Sequence, residues 1–141
     1  MAEDHDTQRI SDELEIRNLL ARLAHLADDG ELEESMQLYT EDAVWEGAAG
    51  FARLEGHADI LAGARERRVS GITGPGAHSR HILTTIDVQV DGSDRARSKS
   101  CFMFYADTDT SPSLQAMGVY EDEHRRTADG WKLAHRSIAN T

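Results

Sequence analysis

The sequence predicts an α+β fold in which N-terminal helices pack on one face of a curved, mostly antiparallel sheet and leave a cavity between the two layers. Three observations predict it. Apolar residues recur at helical spacing up to about residue 70. From Ser79 onward the repeat shortens to two. Asp91-Gly92 and Asp129-Gly130 then mark tight turns between neighbouring strands.

Residues 1–9 are polar and patternless, which reads as a flexible tail ahead of a single domain at 10–141. Ser11 is placed to cap a first helix whose apolar positions are Ile16, Leu19, Leu20, Leu23 and Ala27, ending at Gly30. A short second helix puts Leu32, Met36 and Tyr39 on one face and acids on the other. Residues 43–46 read as a strand, with a further short strand at 51–55 between glycines. A third helix at 57–70 turns Ile60, Leu61 and Ala64 inward and Glu66, Arg67 and Arg68 outward, and stops at the glycine-rich loop 71–76, which is placed to border a pocket.

The long strand from Ser79 carries Ile82, Thr84, Ile86, Val88 and Val90 on one face and His81, Leu83, Thr85, Asp87 and Gln89 on the other. Strands at about 95–106, 114–126 and 131–139 complete an antiparallel meander.

With 26 acidic and 15 basic residues the chain carries a net charge of −11, which repels phosphate backbones and anionic lipid surfaces, so no nucleic-acid partner is expected. No apolar run approaches the roughly 18 residues of a membrane span. The N-terminus is acidic and polar rather than basic then apolar, so a cytoplasmic location is expected. Cys101 is the single cysteine, and its neighbours Phe102, Met103 and Phe104 suggest a buried, inert thiol.

Ile16, Leu20, Ala24 and Asp28 follow one another at i+4, so a carboxylate ends an inward-facing row. A frayed, solvated helix end beside Asp29 and Gly30 accounts for the same residue. His81 shares a strand face with Leu83 and meets the same medium. A buried imidazole needs a partner that fixes its tautomer, and Asp28 is suited to be that partner. Arg136 alternates with Lys132, Ala134 and Ile138 in the last strand and points either into the cavity or to solvent.

Trp45, Phe51, Leu83, Phe102, Met117 and Tyr120 supply the bulk to line an apolar pocket or to fill an ordinary core. His25 falls on the polar side of the first helix. His78 and His81 are three apart on extended chain and face opposite ways, so no metal site is expected. Dinucleotide, phosphate-loop, dithiol and zinc-protease motifs are missing, and no cofactor is expected.

The order of elements, with LADDGELEESMQLYTEDAVWEG, the strand-opening histidine of SRHILTT and GVYEDEHRRTADGWKLAHRS, resembles the SnoaL-like branch of the nuclear-transport-factor-like superfamily over residues 10–139. The resemblance implies a cone-shaped sheet around an internal pocket. Dehydratase and dehydrochlorinase members pair a helix-end aspartate with a strand histidine, here Asp28 and His81, and some add a final-strand arginine, here Arg136. A tyrosine or lysine that those members place about five residues before the aspartate is Leu23 in this chain.

What the resemblance implies is a cofactor-independent lyase acting on a small apolar, cyclic substrate by loss of water or halide. An isomerase or polyketide-type cyclase using the same base, and a non-catalytic ligand-binding domain, are the alternatives. It also implies a homodimer or homotrimer that covers the exposed sheet face.

Overall fold

The computed structural model describes residues 2–47 and 53–140, with side chains to residue 139. Among these residues three helices, α1 (Ala2–Asp29), α2 (Leu32–Met36) and α3 (Gly56–Val69), accompany six strands: β1 (Tyr39–Glu46), β2 (Leu54–Glu55), β3 (Arg80–Asp91), β4 (Arg95–Ala106), β5 (Ser113–Thr127) and β6 (Gly130–Asn140). The strands form one curved, unclosed sheet in the order β2-β1-β6-β5-β4-β3, with every pairing antiparallel except β1 with β6. The helices pack inside the curve.

The first helix starts at Ala2, so residues 2–9 are helical and not the expected tail. Ser11 lies inside the helix and caps nothing. Local bonds carry the extension: Glu3 and Asp4 in the first turn suit the positive end of the helix, Thr7 Oγ1 donates to the Glu3 carbonyl at 2.8 Å, and Gln8 Nε2 donates to Asp12 at 2.9 Å. Tyr39 also departs from expectation. It opens β1 rather than continuing α2, and its ring joins the core with Leu19, Leu23, Ile60 and Leu133.

Helix α1 is tied to the sheet by apolar and polar links. Ile16, Leu19, Leu20 and Leu23 are buried, each stabilising the fold by about 1.5–3 kcal/mol. The buried Asp12 carboxylate accepts from Trp131 Nε1 at 3.0 Å and from Arg126 Nη2 at 2.5 Å, fixing the helix against β6 and β5. These donors hold the Asp12 carboxyl below its usual range despite the opposing effect of burial.

The predicted face of β3 needs correction. Thr84 pairs with Cys101 and Asp87 with Lys99, so Thr85 and Ile86 together stand opposite Ser100. This is a β-bulge, with Thr85 in the left-handed region at φ 53°. The extra residue reverses the alternation. Before the bulge His81 and Leu83 share the inner face with Phe104 and Phe102; after it, Val88 and Val90 share that face with Ser98 and Ala96. Ile82, expected beside Val88, is 43% exposed on the outside. Arg17 on α1 donates to the Ile86 carbonyl at 3.1 Å and so anchors the bulge to the helix.

Cys101 lies on the outer face opposite Thr84 and is half-buried, so the expected buried thiol is not found. Ile82, Met103 and Met117 form one outer rung across β3, β4 and β5. Among the described residues no helix is long and apolar enough to cross a membrane.

Candidate active site

Helix α1 and strand β3 meet at their ends, and there Asp28 and His81 come together. Asp28 is 3% exposed, the last member of the Ile16–Leu20–Ala24 row. Its Oδ1 accepts from His81 Nδ1 at 2.6 Å, and its Oδ2 accepts from the His81 backbone N–H at 2.9 Å. An Nδ1–H donated to a carboxylate leaves Nε2 as the basic nitrogen. The ring lies 4.6 Å from that of Phe104, centroid to centroid, and borders a cavity of about 250 Å³. A cavity of roughly 150 Å³ already accommodates benzene, so this one has room for one or two rings.

Two arginines set the Asp28 end. Arg80 Nη1 bonds Asp29 at 3.0 Å and lies 3.9 Å from Asp28. Arg68 Nη2 donates to the Leu26 carbonyl at 2.8 Å, with the Ala27 carbonyl at 3.4 Å. The Leu26 carbonyl also accepts from the Gly30 N–H at 3.1 Å, and at this negative end of the helix the guanidinium adds further hydrogen bonds and favourable charge. Arg68 was expected to point outward. It turns in instead, reaching from the last turn of α3 to the end of α1.

Four of the expected pocket residues, Trp45, Leu83, Phe102 and Tyr120, line the cavity, as does Arg136. Ile72 and Thr73 bring the 71–76 loop to its wall. Phe51 lies outside the described residues. Met117 does not line the cavity: it is 46% exposed, because β5 presents Ala116, Gly118 and Tyr120 inward and Met117 therefore outward. His25 is exposed, and His78, also exposed, sits 3.7 Å from Asp109.

Arg136 is buried at 4% exposure and grips Asp122 through two bonds, Nε to Oδ1 at 2.8 Å and Nη2 to Oδ2 at 3.0 Å. Burial pulls its pKa down, but the charge and bonds of Asp122 overcome this and push it above the ordinary arginine range. Its guanidinium lies 3.8 Å from the centroid of the Tyr120 ring. Burial pushes the Tyr120 hydroxyl up to about 12 and raises that of Tyr39. Both phenols are therefore neutral donors at physiological pH.

Two cavity residues escaped the sequence reading. Tyr39 was placed on a helix, although its spacing from Met36 did not require one. Arg67 was assigned outward with Arg68, yet Ile60, Ala64 and Arg67 follow at i+4 and i+3, so helical spacing alone puts them on one side.

A model of the SnoaL-like domain matches residues 8–137. A search of curated proteins returns no match. Among solved structures, an NTF2-like protein with a cystatin-like fold from Novosphingobium aromaticivorans is 27% identical with a TM-score of 0.82, over 97% of this chain and 86% of that one. A protein from Streptomyces avermitilis assigned provisionally as a dehydratase of the NTF2-like family is 18% identical with a TM-score of 0.74, over 94% and 98% of the two chains. A protein from Catenulispora acidiphila, solved in complex with S-DNPA, is 20% identical with a TM-score of 0.75, over 91% and 92%. These last two share the fold.

Proposed function

This chain belongs to the SnoaL-like domain family, and from that premise we propose that it is a cofactor-independent lyase of the dehydratase or dehydrohalogenase type, with His81 as its general base. The observation that carries the reading is the double attachment of His81 to Asp28 at the wall of an apolar cavity. His81 Nε2 takes a proton from a substrate carbon. The electron pair left behind forms the new double bond and expels hydroxide or halide from the neighbouring carbon, so the net change is loss of water or of acid. Asp28 remains a carboxylate and stabilises the imidazolium. Arg136 and the neutral Tyr120 hydroxyl stabilise the departing group or the developing anion. Leu23, at the wall, offers no such donor.

Isomerase or cyclase chemistry would begin with the same proton abstraction, and a binding domain would use the pair only to satisfy a buried polar site. One experiment separates the three. The protein is incubated in D2O with a panel of cyclic β-hydroxy and β-halo carbonyl compounds, with mass spectrometry of the products. Loss of water or acid, abolished in His81→Ala, is the expected result. Deuterium incorporation without that loss would move the assignment to isomerase or cyclase, and neither change for any compound would leave a binding domain.

The outer rung of Ile82, Met103 and Met117 leads us to propose a homodimer or homotrimer formed through that face. Sedimentation of the wild type and of Met117→Glu tests it, and a monomeric wild type at micromolar concentration removes it.

A further inference from the structure

Arg67 is the cavity's unanswered charge. Every other arginine that is at least partly buried among the described residues has an oxygen to bind: Arg17 the Ile86 carbonyl, Arg68 the Leu26 carbonyl, Arg80 Asp29, Arg125 Asp42, Arg126 Asp12 and Arg136 Asp122. Arg67 lines the cavity with neither a hydrogen bond nor an ion pair among those residues, and its contact is the face of Trp45, 5.6 Å from the ring centroid. Burial lowers its pKa by more than Tyr39, Tyr120 and Glu66 raise it.

The position at the end of α3 explains part of this, since a cation is favoured in the last turn of a helix. An arginine turned to solvent would obtain that benefit equally and would keep its hydration. A guanidinium drawn into an apolar cavity gains most when an anion enters and accepts two parallel N–H bonds. The other charges of the cavity are already matched: Arg136 by Asp122, and Asp28 by the His81 donors and Arg80. Among the described residues Arg67 is the cavity cation left without such a match.

Building on the assignment of the cavity as the substrate site, we propose that its ligand is a ring-bearing carboxylate whose acid group is received by Arg67 beside Trp45, while its apolar body reaches toward His81. A monoanion matches the guanidinium that is unanswered among the described residues of the cavity, and a more highly charged phosphate would meet a chain of net charge −11 with that one cavity cation to receive it.

The test is a comparison of 2-naphthoate with the neutral isostere 2-naphthamide by titration calorimetry at pH 7.5. Wild-type protein is expected to bind the acid at least tenfold more tightly. Arg67→Met should reduce the preference to within twofold, Arg67→Lys should keep part of it, and His81→Ala should keep it whole, each variant first being shown to melt cooperatively. Equal affinity of wild type for acid and amide, binding of neither, or a preference that survives Arg67→Met would overturn the assignment. The general-base reading fails separately: it predicts loss of turnover in His81→Ala, whereas acid selectivity there should be unchanged.

Discussion

Asp28 holds His81 at two points, with one carboxylate oxygen on the ring nitrogen Nδ1 and the other on the backbone N–H of the same residue. The second bond fixes where β3 begins relative to the end of α1. The first fixes the tautomer and the plane of the ring, so position and chemistry come from a single side chain.

Removing the charge of Asp28 should therefore impair catalysis more than folding. Asp28→Asn is expected to lower kcat/KM by about 10² to 10⁴, as is His81→Ala. Because the two act as a unit, the double variant should be scarcely worse than either single one. A double-variant loss equal to the product of the single losses would show that they act independently.

Arg68 should matter through Asp28 without touching the cavity contents. Arg68→Met removes the side-chain donor to the Leu26 and Ala27 carbonyls and leaves Leu26 the Gly30 N–H alone, at an expected cost of about 1–2 kcal/mol in unfolding free energy. Hydrogen exchange should accelerate at the end of α1 and at the His81 amide. Unchanged protection of that amide would mean that Asp28 is positioned without Arg68.

His124 makes stability depend on pH. It is fully buried, its Nε2 lies 2.7 Å from Ser98 Oγ, and burial lowers its pKa to about 4 from 6.5. Between those values the unfolded chain binds a proton that the folded chain refuses, so stability falls as pH drops through 6.5 towards 4. The loss from pH 7 to pH 5 should be about 2 kcal/mol from this residue. Urea unfolding at the two pH values checks it: a wild-type difference no greater than that of His124→Gln would contradict the assignment.

Gly118 leaves the space that Phe102 occupies. A Cβ on Gly118 would stand 2.6 Å from the Phe102 ring and 2.5 Å from the Ala139 carbonyl oxygen, neither of which can be tolerated. Phe102 is stacked on Tyr120 with centroids 4.5 Å apart, so displacement disturbs the cavity wall. Gly118→Ala should destabilise the protein by about 1–3 kcal/mol and weaken ligand binding. A melting temperature equal to wild type would show that the strand shifts to make room.

Much of this architecture is legible in local pattern. The strands at 80–91, 95–106, 113–127 and 130–140 fall within a residue or two of the places where period-two alternation and Asp-Gly turns put them. The i+4 row of α1 led directly to Asp28, because helical geometry decides which side chains share a side. That His81 opens a strand and shares a face with Leu83 was legible, but not that this face looks inward.

Periodicity carries no information about interruptions and crossings of elements. Nothing in HILTTIDVQV announces that Thr85 and Ile86 share one partner, and without that bulge His81 and Val88 would face opposite ways. Met117 was misassigned because alternation along β5 distinguishes two faces but does not say which is the inner one. Charge suggests solvent for Arg67 and Arg68, whereas from the last turn of α3 Arg68 reaches the end of α1 and Arg67 the cavity wall.

By itself, then, the sequence determined the α+β order and the strand boundaries, both consequences of the local geometry of helix and strand, and it offered Asp28 and His81 as a candidate pair that the family resemblance implied. Only the tertiary structure decided which strand faces look inward, that Asp122 neutralises Arg136 and that Arg67 meets no ion-pair partner among the described residues. Those outcomes depend on packing between residues distant in the chain, where burial sets the cost of every charge.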